Sequence, residues 1–179
     1  MESIFSVVFT SALVSTIVNF AITAWSERRA VRKQTRFDAL KAAVVLEGYA
    51  IECFNSGEKH KLAFESDGHA GELLNKVPEI PTIQIVSGFL QPKKAAVADK
   101  LMKFPQELLQ ENQSIEFCWD IAEHEMALDA ALKSVSKMGI EALDIALELR
   151  EIFKLPTRRL VIGTHDIKAI LTERIGDKT

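Results

Sequence analysis

The sequence predicts an all-α protein, in which a single N-terminal transmembrane helix continues into a cytoplasmic antiparallel helical bundle. Three features of the chain point that way. Residues 3–26 carry no charge, and proline is absent before Pro78. Beyond the uncharged run, apolar residues recur at helical spacings of three, four and seven.

Whole-chain averages do not reveal this organisation. The 179 residues are 47% hydrophobic and 26% charged, with a net charge of −3. That length fits one domain, or a small domain with an anchor. Ordinary charge content excludes wholesale disorder. Two cysteines cannot form a disulfide framework. The mildly acidic balance gives no general affinity for nucleic acid, and none is expected as a partner.

The first element is the segment Ser3 to Ser26. Of its 24 residues, 15 are apolar or aromatic and nine are Ser, Thr or Asn. About 20 helical residues cross the hydrocarbon core of a bilayer, so the length and lack of charge fit a span. A cleaved signal peptide fits less well, because no basic residue precedes the run and it exceeds the usual apolar core of about 7–15 residues. Arg28, Arg29, Arg32, Lys33 and Arg36 follow at once. By the positive-inside rule they hold the C-terminal side in the cytoplasm, at the inner membrane if the host is bacterial, with Met1 outside. Trp25 stands at the interface, and this basic collar suits anionic lipid. Ser15, Thr16, Asn19, Thr23 and Ser26 fall within one arc of roughly 100° on a helix. Such a polar stripe favours helix association, either in a homo-oligomer or with another membrane protein. Alternatively, its hydroxyls bond their own helix carbonyls.

The same helix is expected to run on through residues 27–56 as a stalk, stopping at Asn55-Ser56-Gly57. Residues 57–92 form an irregular connection holding four of the eight glycines and three of the five prolines. Short helices at 71–76 and 82–90 fit there, and Gln84–Phe89 reads equally as an isolated strand. From 93 to 179 helices resume and are expected to pack against 37–56. Lys93–Lys103 is one helix. Pro105 opens another that runs to Phe153, with Gly139 as its candidate break. Leu155-Pro156 ends it, and a last helix from Leu160 is interrupted at Gly163. Cys53 and Cys118 sit on apolar rows and read as buried free thiols.

Chemistry-bearing motifs are scarce. There is no Gly-rich phosphate loop, Cys-x-x-Cys, His-Glu-x-x-His or Gly-x-Ser-x-Gly, and no cofactor is expected. Between Lys103 and Lys133 the chain has no basic residue but carries Glu107, Glu111, Glu116, Asp120, Glu123, Glu125 and Asp129. This strip reads as a solvated face or as a docking surface for a basic partner, including the chain's own 28–41 segment. Asp120 and His124, four apart, are weak candidates for two ligands of a divalent metal. His60, His69 and His165 are too scattered to join them.

The function expected from these features is a membrane-anchored helical interaction protein, acting as scaffold, adaptor or sensor. A membrane-active effector that oligomerises through the striped anchor is the alternative. An anchored metal-dependent enzyme would rest on Asp120 and His124 alone.

Overall fold

The computed structural model describes residues 2–83, 89, 92 and 94–176, with side chains from Val18 onward. The chain is mostly helical, and four helices pack as a bundle. In order they are α1 (Glu2–Glu65), α2 (Ala95–Ile121), α3 (His124–Ile152) and α4 (Ile167–Gly176). A two-residue antiparallel pair, β1 (Val161–Ile162) and β2 (His165–Asp166), precedes α4.

Helix α1 is 64 residues long, roughly 96 Å at the usual helical rise. It does not stop at Asn55-Ser56-Gly57. Gly57 lies inside α1 where it meets the Arg174 guanidinium of α4, and a β-carbon there would stand 3.2 Å from Leu132 Cδ1 of α3, so the residue makes room for a helix contact. The helix ends instead at Glu65. The Gly68 N–H bonds back to the Ala63 carbonyl at 2.8 Å, and Asp67 and Gly68 take positive φ angles of 51° and 81°. The irregular connection that follows is pinned from both sides. His60 Nδ1 accepts the Leu74 N–H at 3.0 Å, and Asn112 Oδ1 accepts the Val77 N–H at 2.7 Å. Residues 71–76 are not helical. The alternatives at 82–90 and the strand at 84–89 fall largely outside the described residues.

Pro105 lies inside α2 and does not open a new helix. Leu101, Phe104 and Leu108 are buried on either side of it, and the helix continues past its one missing backbone donor. Nor does Gly139 break α3. The chain turns at Ala122 and Glu123, both extended (ψ 160° and 148°), without a glycine or proline. Gly139 is instead a point of close approach: a β-carbon there would stand 3.0 Å from Cys53 Cβ of α1 and 2.9 Å from Leu171 Cδ1 of α4.

Cross-contacts fix the directions. Glu111 pairs with Lys137 and Lys100 with Glu148, so α2 and α3 run antiparallel. Glu47 meets Arg150, Cys53 meets Gly139 and Gly57 meets Leu132, so α1 also runs antiparallel to α3. The core is a continuous apolar seam including Ala43, Leu46, Ala50, Val135, Ala142 and Leu149. A smaller cluster of Phe54, Leu160, Ile167 and Leu171 seats α4. The helix expected from Leu160 begins only at Ile167, because residues 161–166 form the small hairpin, turning at Gly163 with φ 60°. Asp166 Oδ1 then accepts the N–H groups of Lys168 and Ala169, capping α4.

Among the described residues no helix is long and apolar enough to cross a membrane. The expected span, residues 3–26, has its side chains 3–17 outside that set.

Candidate functional site

Bundle packing on α1 starts at Thr35, and the helix projects from the bundle before it. Val18 to Gln34 is exposed along nearly all of its length. Phe20 is 75% exposed and Trp25 64%, and Ile22 and Val31 are also open. The Arg29 guanidinium lies 5.4 Å from the centre of the Trp25 ring, and Arg28 and Arg32 share that face. Lys33 and Arg36 are exposed as well. Of the polar stripe, Ser15 and Thr16 lie outside the described side chains, while Asn19 and Thr23 are exposed. Ser26 Oγ donates to the Thr23 carbonyl at 2.9 Å, the local bond that competes with association.

Folding brings further cations to this end, which spacing along the chain could not show. Helix α3 finishes with the Leu155 N–H on the Arg150 carbonyl (2.7 Å) and the Lys154 N–H on the Glu151 carbonyl (3.2 Å). This is a Schellman ending with Lys154, at φ 52°, in the place glycine usually takes. Arg36 Nη2 donates to the Lys154 carbonyl at 2.7 Å across 118 positions of sequence. Lys94, just before α2, holds its ammonium 4.5 Å from the centre of the Phe153 ring. Arg32, Arg36, Lys94 and Lys154 thus line one surface recess of about 200 Å³ that contains no carboxylate.

The acidic residues do not form a single strip. Glu107 and Glu111 are half-buried against α3, and Lys137 Nζ stands 2.6 Å from Glu111. Glu141 faces the same pair. Burial and a hydrogen bond with Glu107 push its carboxyl up to about 7. Glu116, Asp120, Glu123, Glu125 and Asp129 are exposed around the α2–α3 turn, and Asp129 pairs with Lys133 at 2.6 Å. This turn lies at the opposite end of the bundle from Arg36 and Lys154, so the 28–41 segment of the same molecule does not reach it.

The candidate metal pair loses its helical spacing. Asp120 belongs to α2 and His124 begins α3, with the extended Ala122 and Glu123 between them. The His124 ring packs edge-on to Trp119, with centroids 5.1 Å apart. Among the described residues no group of three or more His, Cys, Asp or Glu side chains gathers closely enough to hold a metal.

Two other buried groups are shifted by their surroundings. Cys53 is fully buried, and loss of hydration pushes its thiol up to about 12, which leaves it unreactive at neutral pH. His60 is buried beside Arg174, and both burial and that charge hold its imidazole below the usual range, neutral and accepting from Leu74. A buried ion pair also escaped the reading of the chain. Arg150 grips Glu47 with Nε at 2.6 Å and Nη2 at 2.9 Å, and both side chains are under 10% exposed. No periodicity marks it, because the partners are 103 positions apart. No protein-family model, curated protein or solved structure matches the chain.

Proposed function

We propose that the chain is a single-pass membrane-anchored helical interaction protein. Residues 3–26 cross the bilayer and the bundle stands at its cytoplasmic face as scaffold, adaptor or sensor. One observation carries this reading: the uncharged run belongs to the same helix as the bundle's longest element, yet its described part has nothing packed on it. Phe20, Ile22 and Trp25 would sit unfavourably in water, whereas hydrocarbon and headgroups suit them. The basic collar beginning two residues after Ser26 supports the orientation.

The partner is a second copy or another membrane protein, met along Asn19 and Thr23. A pair of small polar residues on an apolar helix gains most by bonding across a helix–helix contact. Photo-crosslinkers placed at Asn19 and Thr23 of the full chain in intact membranes test this. A crosslinked species of defined mass supports the reading. Recovery of monomer alone at both positions, with no partner retained by the bundle, would refute it.

A further inference from the structure

We propose that the recess formed by Arg32, Arg36, Lys94 and Lys154 binds the phosphate of anionic lipid headgroups. The inference rests on the reading that residues 3–26 cross the bilayer, which turns this end of the bundle toward the headgroups. Arg32 and Arg36 lie roughly 10 and 16 Å along the helix from Trp25. Their long side chains, and those of the two lysines, can extend back toward the surface.

The argument is one of charge. Elsewhere in the bundle, cations at helix contacts meet carboxylates: Lys100 with Glu148, Lys137 with Glu111, Arg150 with Glu47, Lys168 with Asp144 and Arg174 with Glu58. Among the described residues no ion pair takes Arg32, Arg36, Lys94 or Lys154. Four like charges around one recess repel unless an anion joins them. Three separate segments of the chain supply them, so the cluster is a product of the fold and not of a basic run. Two of its members are also held in place. Arg36 is fixed by its bond to the Lys154 carbonyl, with other N–H groups left over, and Lys94 rests on the Phe153 ring. Guanidinium forks suit phosphate oxygens, and ammonium groups add point charges beside them. A recess of about 200 Å³ admits a phosphate group with a few waters, each taking about 30 Å³ in the liquid.

The test uses the full chain in nanodiscs of phosphatidylcholine, with or without phosphatidylglycerol. Lysines are acetylated and read by mass spectrometry. Labelling of Lys94 and Lys154 should fall about fivefold in the anionic discs, the factor that one cation near such a surface contributes. Lys61 and Lys76, at the far end, should not change. Lys154→Gly removes one cation at a backbone position that favours glycine, so it should keep the fold while reducing protection of Lys94. Equal labelling in both discs, or full Lys94 protection in Lys154→Gly, overturns the proposal. Equal protection in neutral discs by inorganic phosphate or by an RNA oligonucleotide would assign the recess to those ligands and overturn it too. A chain that fails to enter neutral discs refutes the span instead. If it then binds anionic vesicles from solution with the same two lysines protected, the recess stands without the anchor. If it binds neither, both ideas fall.

Discussion

The two ends of the bundle carry opposite charge. Where α1 leaves it, Arg28, Arg29, Arg32, Lys33, Arg36, Lys94 and Lys154 have no ion-pair partner among the described residues. At the α2–α3 turn, Glu116, Asp120, Glu123 and Glu125 are exposed and likewise unpaired among the described residues. Between these ends, at the helix contacts, cations and carboxylates meet. Charges inside the bundle serve the fold, then, while those at its ends remain available to other surfaces. A molecule polarised in this way would turn its basic end to an anionic membrane and its acidic end away.

The largest effect should come from breaking the interior. Arg150→Met leaves Glu47 buried without a partner, and unfolding by urea should show a loss of about 3–5 kcal/mol. Next comes the close approach of α1 and α3. Gly139→Val forces a branched side chain against Cys53 and Leu171, and should cost about 1–3 kcal/mol in the same measurement.

A smaller effect depends on pH. The imidazole of His60 titrates lower in the folded chain than in the unfolded one, so the unfolded state takes up the proton first. Its contribution is complete above the ordinary histidine value of 6.5 and is lost as pH falls through the folded value. His60→Asn retains an acceptor for Leu74 without that proton site. Thermal melts should therefore show the wild type losing more stability than His60→Asn on acidification. Glu141 works in the opposite sense, since its raised value favours the folded state at low pH and that benefit is lost as pH rises through about 7. The difference between the two proteins, and not either curve alone, is the test.

The smallest effect belongs to the basic collar. Arg28→Gln with Arg29→Gln touches only exposed side chains, so folding stability should change by no more than about 0.5 kcal/mol. A larger loss in urea unfolding would mean that the collar also supports the bundle.

Helical patterning made much of this fold legible. The absence of proline before Pro78 marked α1, and the apolar rows marked the faces that pack. Leu155-Pro156 marked the end of α3, which finishes at Ile152. What misled were residues with two uses. Gly57 and Gly139 resemble breaks in sequence, but here they are places where helices touch. Pro105 resembles a helix start, yet α2 continues past it with core side chains buried on both sides. The true break at Ala122 and Glu123 has no glycine or proline, so no turn residue marks it in the sequence. The site was only half legible. The collar is a local run, whereas Lys94 and Lys154 join it only through folding, and the Glu47–Arg150 pair links positions 103 apart.

Washing membranes at alkaline pH tests the central claim most directly. The full chain, expressed in cells, should stay in the membrane pellet through a carbonate wash. Placing arginine at Leu13 and Ile17 adds about 2.5–3.5 kcal/mol per charge to insertion and should move the protein to the supernatant. Release of the unaltered chain by the wash would contradict the account.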